Sequence, residues 1–292
     1  MAEAQRSNPE AGILQHPLST HPDSSDNNRF QMVPVGVGIK LRVFTRDLDQ
    51  DAVPLVFCNG LGQAIEILFP LMKELAGRPI IAFDAAGVGL SDVPGEPASI
   101  PDHAAMLTEV LDALGVDRCD VLGISWGGAV AQQLAKDMPT RVRKLVLAVT
   151  SAGGLGSWWG SPVALGEIFF PLRYSSKAYG NFIGPLMYGG EAVWNRSLFR
   201  EYSKHAVAPS LTGYFAQVKA LCSWNSLFWF GELQQPTQII GGTMDALIPI
   251  ANQMLLATLK PDAQLKVFQA GHLLMYSRRS EIGALVTEFL DA

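Results

Sequence analysis

Short runs of apolar, β-prone residues recur along the chain, separated by stretches whose apolar positions follow a helical spacing. GIKLRVF (38–44) is the first, followed by PLVFC (54–58), PIIAFD (79–84), CDVLGIS (119–125), KLVLAVT (144–150), TQIIGG (237–242) and QLKVFQA (264–270). Several are continuous rather than alternating, as expected of strands covered on both faces in a parallel sheet. Helical periodicity runs through Ile65–Leu75, His103–Leu114 and Gln253–Leu259, and Ser280–Leu290 closes the chain. Strand alternating with helix predicts an α/β fold, a mostly parallel sheet with helices on both faces. Active sites of such sheets sit at the carboxyl ends of the strands.

One interval breaks the rhythm. Between Thr150 and Thr237 no strand is visible, yet the segment is dense in aromatics, among them Trp158, Trp159, Phe169, Phe170, Tyr174, Trp194, Phe215, Trp224, Phe228, Trp229 and Phe230. Loops of that length are rarely structureless. The reading is a mostly helical cap, or lid, over residues 151–236, inserted after the sixth strand and entered through SAGGLGSWWG. The core is then 31–150 together with 237–292. So small a subdomain cannot bury every aromatic internally, so a few of them are expected to face the cleft below. Residues 1–30, rich in Ser, Asn, Asp and Pro, read as a flexible polar tail that holds His16 and His21.

Bulk properties narrow the class. A chain of 292 residues suits one large α/β domain with an insertion, and a net charge of -5 without a basic stripe excludes a nucleic-acid binder. Cys58, Cys119 and Cys222 are too widely spaced for a disulfide framework or zinc site, which fits core packing and a reducing, cytoplasmic setting. No run approaches the roughly 18 apolar residues of a membrane span, and no basic-then-apolar leader opens the chain.

Chemistry concentrates in VLGISWGGAVAQQLA (121–135). A G-x-S-x-G match arises by chance in roughly one of several such chains, so its context decides. Here a strand precedes it and a helix follows, which would hold the Ser125 hydroxyl above the sheet on a sharp turn, with Gly123 and Gly127 leaving the room such a turn needs. Serine requires an adjacent base. Of the five histidines two lie in the tail, His103 reads as a surface or capping residue, and His205 lies in the cap with no acid in its pattern. His272, in FQAGHLLMY after the last strand, is the expected base. Asp245, in IIGGTMDALIP, is the expected acid that fixes its tautomer. An oxyanion would be held by the backbone N–H of Trp126 and, from NGLGQ, that of Leu61. No metal or organic cofactor is called for.

Ser, Asp and His in that order resemble the α/β-hydrolase superfamily over roughly residues 33–291, with FDAAGVGLSD resembling its structural turn after the fourth strand. A finer likeness lies in GISWGGAVAQQLA, KLVLAVTSAG, YGG (188–190), QQPT (234–237), DALIP with GHL, NGLG and LFPLM. These resemble the intracellular depolymerases of medium-chain-length poly(3-hydroxyalkanoate). That resemblance implies a serine esterase acting on storage polyester at a granule surface, with Ser125 as nucleophile, Asp245 as acid and His272 as base. The long polar tail departs from that family. A serine rather than a carboxylate at 125 argues against dehalogenase and epoxide-hydrolase chemistry. A carboxylesterase or lipase for small lipophilic esters stays open, and so does an acyltransferase. The H-x-x-x-x-D signature of some acyltransferases is matched only by His21 to Asp26. A hydrolase-shaped receptor for an apolar ligand is the non-enzymatic alternative, and the complete Ser, Asp and His set speaks against it.

Overall fold

The structure, a computed structural model, describes residues 28–36 and 38–292. Eight strands form one sheet: β1 (Asn28–Val35), β2 (Ile39–Arg46), β3 (Leu55–Cys58), β4 (Ile80–Phe83), β5 (Cys119–Ile124), β6 (Val142–Ala148), β7 (Thr237–Gly242) and β8 (Gln264–Phe268). Their order is β1-β2-β4-β3-β5-β6-β7-β8. β1 and β2 pair antiparallel and β2 meets β4 antiparallel, while every pair from β4 to β8 is parallel.

The continuous apolar runs work because a strand sends successive side chains to opposite faces. Val56, Val121, Leu145, Leu147 and Ile239 enter one core with α2 (Ile100–Ala113) and α3 (Trp126–Asp137). Their neighbours Phe57, Leu122, Val146 and Ile240 enter a second core on the other face, with α1 (Phe69–Glu74) and α11 (Arg279–Asp291). Each such buried Leu, Ile, Val or Phe contributes about 1.5–3 kcal/mol.

Two sequence expectations need correction here. The tail was drawn to residue 30, but β1 begins at Asn28. It is an edge strand with Phe30 and Met32 well exposed, so it lacks the two-sided apolar run that marks the inner strands. The calls on His16 and His21 fall outside the described residues. His103 is not a surface residue. It lies in the second turn of α2, which starts at a Ser99–Asp102 capping box, and its buried ring meets Trp126 edge-on with centroids 4.9 Å apart. In addition, the helix expected over Ile65–Leu75 is a 3-10 turn (Ile65–Leu68) followed by α1, with Pro70 in the first turn of α1, where its missing N–H costs nothing.

Between β6 and β7 lie α4 (Pro162–Phe169), α5 (Lys177–Tyr188), α6 (Glu191–Trp194), α7 (Arg196–His205) and α8 (Leu211–Cys222). Ala164, Met187, Tyr188, Ala192, Phe199 and Tyr202 of this insert form a core with Leu247, Leu273 and Tyr276 from loops at the sheet's carboxyl end. The insert is therefore packed onto the carboxyl end of the sheet. After β7 come α9 (Ala251–Leu259), β8 and the short α10 (Leu274–Ser277).

Burial pushes the His103 pKa down to about 4, with the Asp102 charge opposing only partly. The native state therefore holds a neutral imidazole that the unfolded chain protonates near pH 6.5. Stability from this residue is complete above about pH 6.5 and is lost as the pH falls toward 4, by up to roughly 3 kcal/mol. In chemical denaturation across that window, His103→Gln should flatten the decline in stability. An unchanged slope would place the acid sensitivity elsewhere.

Candidate active site

The turn from β5 into α3 is the sharpest feature at the carboxyl end of the sheet. Ser125 has φ +53° and ψ −118°, a conformation that costs a non-glycine residue about 1–3 kcal/mol. It is held from both sides. The Ser125 N–H donates to the Ala148 carbonyl at 2.9 Å, and its own carbonyl accepts from the Gly128 N–H at 2.9 Å and the Thr150 hydroxyl at 2.7 Å. Gly123 and Gly127 are needed for closeness. A Cβ on Gly123 would meet the Ala131 methyl at 2.6 Å, and one on Gly127 would strike the Cys58 and Asn59 carbonyls.

The structure brings the three predicted side chains into one chain of hydrogen bonds. His272 Nε2 lies 3.1 Å from Ser125 Oγ, and His272 Nδ1 lies 2.8 Å from Asp245 Oδ2. Asp245 Oδ1 accepts from the backbone N–H groups of Leu247 and Ile248, both at 2.8 Å, and the carboxylate is fully buried. With Oδ1 taken up by two backbone N–H donors, Oδ2 is the oxygen that accepts Nδ1–H. That leaves Nε2 unprotonated, facing the serine hydroxyl. His205, by contrast, closes α7 with Glu201 one turn before it and takes no part.

The loop after β3 passes beside Ser125. A Cβ on Gly60 would lie 3.8 Å from that of Ser125, and Asn59 Nδ2 ties the loop by donating to the Ala64 carbonyl at 2.8 Å. Among the described residues the N–H groups of Leu61 and Trp126 meet no acceptor. Buried Gln217 of α8 braces both: its Oε1 accepts from the Gly62 N–H at 2.8 Å, and its carbonyl accepts from Trp126 Nε1 at 3.0 Å. The FDAAGVGLSD turn stays structural. Asp84 Oδ1 accepts from the Ile65 N–H at 2.8 Å, and Asp84 also pairs with buried Arg42.

Reading the sequence alone gave no role to Gln217 or Tyr188. Tyr188 ends α5, and its carbonyl accepts from the His272 N–H at 2.8 Å while its ring stacks on the imidazole with centroids 6.0 Å apart and planes within 12°. Gly189 forms an isolated antiparallel bridge with Asp245, and Gly190 packs directly on Gly271. The visible signal was the paired glycines of YGG, both at positive φ.

Ser125 and His272 open on a cavity of about 110 Å³ with mostly apolar walls, including Leu71, Ile124, Ile168, Met187, Leu247 and Met275. Its aromatic walls are Trp126, Tyr188, Tyr202 and Tyr276. None of the insert aromatics singled out from the sequence lines it. Most of those face outward, Trp158, Trp159, Phe170, Trp194 and Phe228 being more than half exposed. No cluster of metal-ligating side chains occurs among the described residues.

Comparison with known proteins agrees with the fold. Residues 53–278 match the model of the α/β hydrolase fold family. A poly(3-hydroxyalkanoate) depolymerase of Ectopseudomonas oleovorans is 36% identical over 252 residues, covering 86% of this chain and 89% of that one. A 2-hydroxymuconate semialdehyde hydrolase of Pseudomonas sp. strain CF600 is 30% identical, covering 81% and 86%. Among solved structures, the enol-lactonase of Burkholderia xenovorans LB400 superposes with a TM-score of 0.78 at 21% identity, over 90% of this chain and all of that one. The chain belongs to the α/β-hydrolase family.

Gly190→Ala tests the brace between insert and site. A methyl there needs φ +57° and overlaps the Gly271 backbone, so the loop bearing His272 must shift. Labelling of Ser125 by a fluorophosphonate should slow by at least about 10-fold, since a shift of about 1 Å costs that much or more. Labelling at the wild-type rate would show that residues 188–190 do not set the geometry.

Proposed function

We propose that the protein is a serine esterase for apolar 3-hydroxyacyl esters, with medium-chain-length polyhydroxyalkanoate as its polymeric substrate. The observation that carries the reading is the Ser125–His272–Asp245 hydrogen-bond chain opening on an apolar cavity. His272 Nε2 takes the hydroxyl proton as Ser125 Oγ attacks the ester carbonyl. The resulting oxyanion is held by the N–H groups of Trp126 and Leu61, and Asp245 stabilises the imidazolium. Collapse of the intermediate expels the alcohol, which takes the proton from His272. Water, deprotonated by His272, then attacks the acyl-enzyme and releases the acid and the free serine.

The polymer assignment draws on the E. oleovorans relative, whose name is that of a poly(3-hydroxyalkanoate) depolymerase. The insert supports it, since Trp158, Trp159, Phe170, Phe182 and Phe228 present exposed apolar surface of the kind that adheres to a greasy solid. A granule surface inside the cell is the setting this chemistry suits. No helix among the described residues is long and apolar enough to cross a membrane, so adsorption through the insert is the contact proposed.

Release of 3-hydroxyacids from a medium-chain polyester latex, measured beside hydrolysis of p-nitrophenyl octanoate, tests the reading. Both activities should fall by at least about 10⁴-fold in Ser125→Ala. Turnover of the small ester alone would return the assignment to a carboxylesterase, and acyl transfer to an added alcohol in preference to water would make it an acyltransferase. Activity retained by the variant would remove Ser125 from the mechanism.

A second prediction concerns the surface. Phe170→Ser with Phe182→Ser should leave p-nitrophenyl octanoate hydrolysis within about twofold, because exposed substitutions cost little, while latex breakdown falls several-fold. Equal rates on latex would sink the adsorption role.

A further inference from the structure

The catalytic cavity does not end at the triad. A second cavity of about 260 Å³ adjoins it, and the two share Gln63, Arg173, Tyr188 and Tyr202 as walls. Beyond this boundary Ser176, Asn181, Ser203, Lys177 and Lys204 join apolar walls such as Phe199 and Val207. The acyl chamber thus meets a second, more mixed one across a partition that holds two unsatisfied groups.

Arg173 is the more telling of the two. Its side chain is only 7% exposed, which is costly for a guanidinium unless its charge is matched. Glu167 supplies that match. Nη1 donates to the Glu167 carbonyl and lies 3.9 Å from its carboxylate, and Nη2 donates to the hydroxyls of Tyr214 at 3.0 Å and Tyr174 at 3.3 Å. Nε is the one guanidinium nitrogen buried with no acceptor at all among the described residues. Gln63 stands on the same partition with its Oε1 buried and without a donor. One free donor beside a neutralised charge favours an uncharged oxygen over a carboxylate. One free acceptor asks for a hydrogen to be donated to it. A hydroxyl is the common group that meets both demands at once.

Building on the esterase reading, we infer that Arg173 and Gln63 are specificity-determining residues that hold the free 3-hydroxyl of the acyl unit. The hydroxyl oxygen accepts from Arg173 Nε–H, and its hydrogen is donated to Gln63 Oε1. In a polyester only the unit at the hydroxyl end carries a free 3-hydroxyl, since every other 3-oxygen is esterified and has no hydrogen to give. The partition therefore selects chain ends, and the polymer is shortened from its hydroxyl terminus one 3-hydroxyacid at a time. Sites built to bond a substrate hydroxyl discriminate strongly against analogues that lack it, because their own buried polar groups are then left unpaired.

The test compares kcat/KM for p-nitrophenyl esters of 3-hydroxyoctanoate, 3-acetoxyoctanoate and octanoate in the wild type, Arg173→Met and Gln63→Leu. The wild type should prefer the free 3-hydroxyl over both analogues by at least about 10-fold, and each variant should lose most of that preference. Equal rates on the three esters, or a preference that survives in both variants, would overturn the assignment. Because Arg173 also binds Tyr214 and Glu167 of the insert, loss of folding in Arg173→Met would leave the decision to Gln63→Leu, whose side chain braces nothing else. Failure of the wild type to hydrolyse any of the three would count against the esterase itself, a separate result from hydrolysis without preference.

Discussion

The left-handed backbone of Ser125 is the constraint around which the carboxyl end of the sheet is arranged. A serine cannot hold φ +53° alone, and three neighbouring contacts fix it: the Ala148 carbonyl of the next strand, the Thr150 hydroxyl beyond it, and the Gly128 N–H of its own helix. Those contacts exist because β6 lies beside β5 in parallel register and because glycines let α3 sink against β3 and β5. The alternating core residues of the sheet thus stabilise more than the fold. They keep an unfavourable turn in place, which is what lifts the hydroxyl off the sheet toward His272.

The insert then supplies what the sheet cannot. At one side of Ser125, Gln217 joins the loop after β3 to the Trp126 indole. At the other, Tyr188 and Gly189 join the loops that carry His272 and Asp245. A backbone group takes part in each of these links, so they constrain where the loops run.

Much of this was legible in the sequence, for physical reasons that differ from residue to residue. Inner strands were visible because burial on both faces forces continuous apolar runs, and Ser125, Asp245 and His272 stood out because each follows such a run. β1 was hidden because an edge strand with one covered face needs fewer apolar residues. The burial of His103 and the roles of Tyr188 and Gln217 depend on contacts between segments roughly 20 to 150 residues apart, which no local pattern carries. For the aromatics of the insert, abundance told that some face the cleft but not which. A few do face the cleft, but they are Tyr188 and Tyr202, while the conspicuous Trp158, Trp159 and Trp194 face outward.

The bridge between Gly189 and Asp245 has a consequence for how such proteins diversify. An element that merely covered the sheet could be exchanged, lengthened or lost while the chemistry beneath it persisted. Here a three-residue stretch at the end of α5 is as much a part of the floor around Asp245 and His272 as the loops of the sheet. The insert is therefore not a module. Grafting a foreign one onto this sheet would transplant a roof while removing a supporting beam, and substrate range can change freely only in the parts of the insert that lie away from residues 188–190 and Gln217.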